Sequence, residues 1–297
     1  MDKPPGATWL DSGWLRDHPL PEPDNEADKN ERGRVVVIGG ARTVPGGIRL
    51  TAEAALRAGA GKVRVATVES AAIALGVAMP EIAVFGLPED EDGEIASGCG
   101  EVIGKLLKRC DAVIVGPAIS GSEPAGGIVD HLLGSASAAP LILDAAALTC
   151  LPPGRIRPLR ERRHPAILTP HIGEMAGMLE CDADEIEGDR AAATLRAAEM
   201  FGATCLLKGA ITLIATPEGA LHAYAGGGVG LATGGSGDIL AGLVAGLVAR
   251  GTEPLTATLW AVWLHGEAGR RCAEQQGPLG YLAHELLPYI PGLMRAV

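Results

Sequence analysis

Ala225-Gly-Gly-Gly-Val-Gly-Leu-Ala-Thr-Gly-Gly-Ser-Gly-Asp238-Ile-Leu-Ala-Gly-Leu-Val-Ala-Gly-Leu-Val-Ala249 changes character at its middle. Seven glycines fall between Gly226 and Gly237, and an apolar helical pattern follows. Glycine accepts backbone conformations closed to other residues and lets a ligand approach the main chain. A glycine turn that opens a helix leaves free N–H groups at the positive end of the helix dipole, which suits a phosphate. Asp238 then stands where the anion would lie, a poor choice for a simple phosphate cradle. As a base acting on whatever attacks that phosphate, the carboxylate has a purpose. The plain alternative is an N-cap aspartate, worth about 1 kcal/mol, but a cap does not require seven glycines and their ordering entropy. No Gly-x-x-x-x-Gly-Lys-Ser/Thr loop is present, so the phosphate loop that follows a first strand is excluded.

Upstream, short apolar runs end in glycine or polar residues. Val35–Ile38 runs into Gly39-Gly40, Ala112–Val115 into Gly116-Pro117, and Pro140–Leu143 into Asp144. Ala166–Leu168 leads into Thr169-Pro-His171-Ile-Gly-Glu174, and Thr204–Leu207 into Lys208-Gly209-Ala210-Ile211-Thr212. Continuous Val/Ile/Leu runs of this length mark strands buried on both faces of a parallel sheet. Helical segments are expected between them over about Ile48–Ala58, Ser70–Met79, Gly100–Arg109, Ile128–Leu133, Met175–Leu179 and Arg190–Phe201, and after the glycine stretch over Ile239–Arg250 and Pro254–Gln275. Further strands are expected at Val63–Thr67 and Ile82–Leu87, and a hairpin from Ile211–Thr216 to Leu221–Tyr224. The acidic run Asp182–Asp189 is expected to cap the helix after it, Pro88–Glu94 to be a solvated loop, and His265 to be structural. The fold class is therefore α/β, a single doubly wound and mostly parallel sheet flanked by helices. Ligands of such sheets bind at the carboxyl ends of the strands, where Gly39, Gly116, Asp144, Thr169 and Lys208 gather. A lysine directly after a buried strand suits a phosphate contact.

The 297 residues are 47% hydrophobic but only 3% aromatic, which favours small aliphatic side chains between helices and sheet. A formal net charge of −11 argues against nucleic acid as a partner. Cys99, Cys110, Cys150, Cys181, Cys205 and Cys272 show neither Cys-x-x-Cys nor metal-ligand spacing, so no metal held by protein side chains is expected and a reducing compartment is. The first residues lack an apolar signal core. The longest apolar run, Ile239–Ala249, is far short of the roughly 20 residues of a membrane span. The expected location is cytoplasmic, with no membrane association. Residues 1–32 read as an N-terminal arm in which Trp9, Leu10, Trp14 and Leu15 dock a short helix on the body or on another subunit. Residues 33–297 form the one domain.

From Gly33 to Pro291 the chain resembles the ADP-dependent NAD(P)H-hydrate dehydratases of the ribokinase-like fold. The resemblance rests on ordered motifs: Arg34–Gly40, Ala54–Gly61, Val115-Gly-Pro117, Leu143-Asp-Ala145, Leu168-Thr-Pro-His-Ile-Gly-Glu174, Leu207-Lys-Gly209 and Leu231–Asp238. It implies a hydro-lyase that repairs hydrated NADH and NADPH, driven by cleavage of the co-substrate ADP to AMP and phosphate. It implies that Asp238 deprotonates the ring hydroxyl and that Gly47, Gly116, His171 and Asp238 contact the hydrated dinucleotide. Lys208, Gly209, Ala210, Ile211 and Thr212, with Gly235, Ser236 and Gly237, would hold the nucleotide, with Asp144 and Glu174 in support. Mg²⁺ on the phosphates, a homotetramer and a separate NAD(P)H-hydrate epimerase belong to the same implication. The chain departs from the family pattern at Gly47, Ala118, Ala146 and Gly228. A small-molecule kinase of the same fold, or a non-catalytic nucleotide-binding protein, would share the glycine turn. The Thr-Pro-His-x-Gly-Glu segment favours the dehydratase.

Overall fold

The computed structural model describes residue 4 and residues 6–24, 26–151 and 154–297. In chain order the elements are β1 (Thr8–Trp9), α1 (Ser12–Asp17), β2 (Arg34–Ile38), α2 (Pro45–Arg57), β3 (Lys62–Val68), α3 (Glu69–Ala78) and β4 (Ala83–Leu87). Then come α4 (Gly100–Leu107), β5 (Ala112–Val115), α5 (Ser122–Leu133), β6 (Leu141–Leu143), α6 (Ala146–Thr149), α7 (Ile156–Arg160) and β7 (Ile167–Leu168). The last third carries α8 (Ile172–Leu179), α9 (Ala183–Gly188), α10 (Arg190–Phe201), β8 (Thr204–Leu207), β9 (Thr212–Ala215), β10 (Leu221–Tyr224), α11 (Ser236–Ala249), α12 (Pro254–Gln276) and α13 (Ile290–Arg295).

All ten strands form one sheet in the order β1-β10-β9-β8-β7-β6-β5-β2-β3-β4. From β8 to β4 every pairing is parallel; β9 is antiparallel to both its neighbours, and β1 joins β10 in parallel. The strands are apolar at successive positions because both faces are covered. Val36, Ile38, Val113, Val115, Leu141 and Leu143 point into one buried cluster. Val35, Val37, Ala112, Ile114 and Ile142 point into the other. Register fixes what happens at the strand ends. Ile38, Val115, Leu143 and Leu168 are partners in turn, so Gly39, Gly116, Asp144 and Thr169, one residue on, form a row along a single edge. The strand order reverses between β2 and β5, and a reversal of this kind opens a crevice at the carboxyl edge.

Two helices meet below that crevice. α11 is buried along its length from Ile239 to Ala249 and packs on α2, β5 and β2. Each buried Leu or Val there contributes about 1.5–3 kcal/mol of transfer free energy. The seam between α11 and α2 is built from backbone. A Cβ at Gly242 would collide with the Thr51 carbonyl, and one at Gly246 with the Ala55 carbonyl. Positions 238, 242 and 246 share one face of α11, and 47, 51 and 55 one face of α2, because residues four apart stack on a helix. The pairs 47/238, 51/242 and 55/246 therefore lie like rungs between the two helices.

Several sequence expectations are corrected. α2 starts at Pro45 and α11 at Ser236, a turn earlier than the apolar pattern indicates, so Gly46, Gly47 and Gly237 lie inside helices despite their poor propensity. Asp182–Asp189 is not merely a cap: most of it forms α9, and only Asp189 caps α10 by accepting from the Ala192 N–H at 2.9 Å. In the acidic segment after β4, Glu94 is buried rather than solvated and accepts from the Ser120 N–H. The N-terminal helix docks on the body: Leu10 and Leu15 are buried, Trp260 donates to the His18 carbonyl at 2.8 Å, and Arg250 to that of Pro21 at 2.6 Å. No described helix is long and apolar enough to cross a membrane.

Candidate active site

The row at the sheet edge, the start of α2 and the start of α11 converge. Gly235, at φ +88°, turns the chain into α11, a conformation that favours glycine. Asp238 is then the third residue of the helix and not its N-cap. The Ser236 N–H reaches back to the Thr233 carbonyl at 3.3 Å. Among the described residues, the N–H groups of Gly235, Gly237 and Asp238 have no protein acceptor, so they form the open positive end of a 14-residue helix. The Ser236 hydroxyl is spent on His265 Nε2 at 2.8 Å. Burial holds His265 near 4, neutral at physiological pH, so this histidine braces the helix start.

Asp238 projects along the seam toward Gly47. A Cβ at Gly47 would stand 3.1 Å from Asp238 Oδ2 and 2.9 Å from the Ala118 methyl, so this carboxylate has room only because residue 47 lacks a side chain. Burial raises the Asp238 pKa to about 6; the charge of Asp144 adds to the shift and Lys208 opposes it. A carboxylate tuned this close to neutrality in a crevice is suited to taking a proton.

Asp144 is buried, accepts from the Thr169 hydroxyl at 2.7 Å and pairs with Lys208 Nζ at 3.0 Å. Lys208 also reaches Glu174 at 3.5 Å. Burial alone would lower the Lys208 pKa, but the two carboxylates outweigh it and hold the ammonium charged. Its Nζ stands 3.6 Å from where a Cβ on Gly237 would be, so a fixed cation lies beside the open helix start. Glu174 has a second duty. It accepts from the His171 N–H at 2.7 Å while His171 Nδ1 accepts from the Glu174 N–H at 3.2 Å, a reciprocal cap of α8. His171 Nε2 lies 3.5 Å from the other carboxylate oxygen of Glu174.

Gly116, at φ +117°, backs the site: a Cβ there would collide with the Asp144 carbonyl. Ala118 and Ala145 hold positive φ of 57° and 48°, strain of order 1–3 kcal/mol each, and both border the crevice. Gly228 adopts φ 78°, ψ 175°, a region essentially reserved for glycine. Lys208–Ile211 form the turn between β8 and β9, and Thr212 opens β9. Sequence reasoning missed Arg190 and Glu94; it noted Ala118 only as a departure from the family pattern, and the structural role expected of His265 is the one observed. A cleft of about 940 Å³ between the N-terminal segment and Arg250 lies elsewhere, and its Glu22, Asp24, Glu26 and Glu31 suit an anionic nucleotide poorly.

One doubly wound sheet with a glycine-capped helix and an aspartate at its carboxyl edge defines a nucleotide-binding protein of the ribokinase-like class. Residues 35–292 match the model of the NAD(P)H-hydrate dehydratase (Carb_kinase) family. The ADP-dependent (S)-NAD(P)H-hydrate dehydratase of Xanthomonas campestris pv. campestris is 42% identical over 280 residues, covering 94% of this chain and 93% of its own. The bifunctional NAD(P)H-hydrate repair enzyme of Moorella thermoacetica is 36% identical over 286 residues; the match covers 96% of this chain and 53% of that enzyme. The ADP/ATP-dependent NAD(P)H-hydrate dehydratase of Bacillus subtilis, co-crystallised with ATP and Mg²⁺, superposes with a TM-score of 0.84 at 29% identity, covering 98% of this chain and 99% of that one. The chain belongs to the NAD(P)H-hydrate dehydratase family. It spans about half the length of its bifunctional relatives.

Proposed function

We propose that the chain removes water from hydrated NADH and NADPH, using ADP and releasing AMP and phosphate. The observation that carries this reading is the Asp238 carboxylate, raised to about 6 at the open start of α11 and facing Gly47 across the seam. In this reading the hydrate lies against Gly47, Gly116 and the His171 ring, and its hydroxyl points at Asp238. Asp238 takes the hydroxyl proton as the oxygen bonds to the β-phosphorus of ADP and the bond to AMP breaks. The carbon–oxygen bond then breaks, phosphate leaves with the electron pair, and the ring recovers its double bond on losing a proton.

The free N–H groups of Gly235 and Gly237 and the Lys208 ammonium supply fixed positive charge where the phosphoryl group gathers negative charge. Thr169, Asp144 and Glu174 hold Lys208 in place. The nucleotide itself is assigned to Lys208, Gly209, Ala210, Ile211 and Thr212 with Gly235 and Gly237, whereas Ser236, its N–H and hydroxyl both taken within the protein, shapes the turn between them. Mg²⁺ keeps several waters and binds largely through substrate phosphate oxygens, so it would enter with the ADP. When bound it would neutralise the phosphates.

An assay with hydrated NADH and ADP, following the absorbance of the reduced ring, tests the reading. Recovery is expected in wild type, and Asp238→Asn should lower the rate at least about a hundredfold with ADP still bound. Failure to recover absorbance, with phosphoryl transfer from ATP to a small alcohol instead, would assign the chain to the kinases of the fold. We further propose a cytoplasmic homotetramer served by a separate epimerase. Six unpaired cysteines support a reducing compartment, and the exposed Ile73 and Val77 on α3 support assembly. Light scattering tests the tetramer.

A further inference from the structure

We infer that Arg190 is the positioning residue of the nucleotide turn Lys208–Thr212, aiming its main-chain N–H groups at a nucleoside phosphate. Arg190 is the first residue of α10, and capping of that helix by Asp189 fixes its backbone. Its Nη2 donates to the carbonyls of Lys208, at 3.3 Å, and Ile211, at 3.0 Å. Its Nη1 pairs with Glu187 at 3.4 Å. The Thr212 hydroxyl holds a third carbonyl of the turn, that of Gly209, at 3.3 Å.

In a planar trans peptide the carbonyl of one residue and the N–H of the next point in opposite directions. Drawing the carbonyls of Lys208 and Gly209 onto Arg190 and Thr212 therefore turns the N–H groups of Gly209 and Ala210 away from those anchors. Both residues are exposed, and among the described residues the N–H groups of Gly209, Ala210 and Ile211 have no protein acceptor. Consecutive free N–H groups on a turn form a concave anion site. Gly209 completes the fit, because a Cβ there would collide with the Arg190 guanidinium. A lysine could not bridge two carbonyls and a carboxylate from one planar fork.

The inference rests on the reading that this turn takes the nucleotide. Titration calorimetry with ADP, beside steady-state measurement of the hydrate KM, tests both on the full chain. In Arg190→Ala the ADP Kd should rise about tenfold, the scale of one lost charge-assisted hydrogen bond, while the hydrate KM stays within about twofold. Arg190→Lys should fall between. A folded Arg190→Ala protein that binds ADP as tightly as wild type overturns the assignment, as does an equal loss of affinity for both ligands. If Arg190→Ala fails to fold by circular dichroism, Gly209→Ala displaces the guanidinium instead. It should weaken ADP binding in the same way, and unchanged binding there also refutes the role. Wild type that binds no ADP would remove the nucleotide reading itself, a result distinct from every outcome above.

Discussion

Replacing Asp238 with asparagine should stabilise the protein at neutral pH while abolishing turnover. The carboxyl pKa rises from its ordinary 3.8 to about 6, chiefly through burial and then through the charge of Asp144. A folded-state pKa above the unfolded value means that folding takes up a proton between the two. Ionised Asp238 therefore works against the folded state, fully so above about pH 6. A rise of roughly two units corresponds to about 3 kcal/mol, the ceiling on what a neutral side chain of the same shape recovers. Below about pH 4 both states carry the proton and the difference vanishes. Urea unfolding of wild type and Asp238→Asn at pH 7.5, 6 and 4 measures this. The expected gain is about 1–3 kcal/mol at pH 7.5, closing as pH falls through 6 toward 4. A variant no more stable than wild type at pH 7.5, or a gap that ignores pH, would refute the account of the site's electrostatics.

Three further expectations follow from the same geometry. The dehydration rate, followed by absorbance across pH, should fall with unit slope below about pH 6 as Asp238 gains its proton, and a flat profile down to pH 4.5 would exclude Asp238 as the base. Lys208→Met leaves Asp144 and Glu174 facing one another, so stability should drop by about 3 kcal/mol in urea titrations and the acid limb of the rate profile should move to higher pH. Gly47→Ala places a methyl 3.1 Å from Asp238 Oδ2 and 2.9 Å from that of Ala118; turnover should fall, and adding Ala118→Gly should restore part of it. Strictly additive losses in that cycle would show that the two positions are uncoupled.

What the sequence disclosed and what it withheld divide along physical lines. β2, β5, β6 and β8 were readable because strands covered on both faces must be apolar at every position, and their abrupt polar ends marked the edge where ligands bind. The starts of α2 and α11 were not readable. Gly46, Gly47 and Gly237 are poor helix formers, and tertiary packing against the facing helix overrides that preference. β1 is two residues long and exists only because β10 offers it an edge, so no periodicity could announce it. The buried contact of Glu94 with the Ser120 N–H spans 26 residues, and the reach of Arg190 to Ile211 spans 21; pairs so far apart leave no local pattern. The His171–Glu174 cap had a legible half, since a glutamate three residues after a loop residue is the usual partner, but histidine replaces the customary hydroxyl.

The seam between α2 and α11 has a consequence for how such a protein can change. Where helices touch through leucines, a bulky newcomer is absorbed by a neighbour adopting another rotamer. Here the touching atoms at Gly242 and Gly246 are main chain, and main chain has no rotamers to spare. A methyl introduced at Gly246, about 12 Å along the axis from Asp238, would act as a wedge and tilt the reactive carboxylate from a distance. Variation among descendants of this chain should thus concentrate in the loops at the rim and leave the paired helices almost untouched.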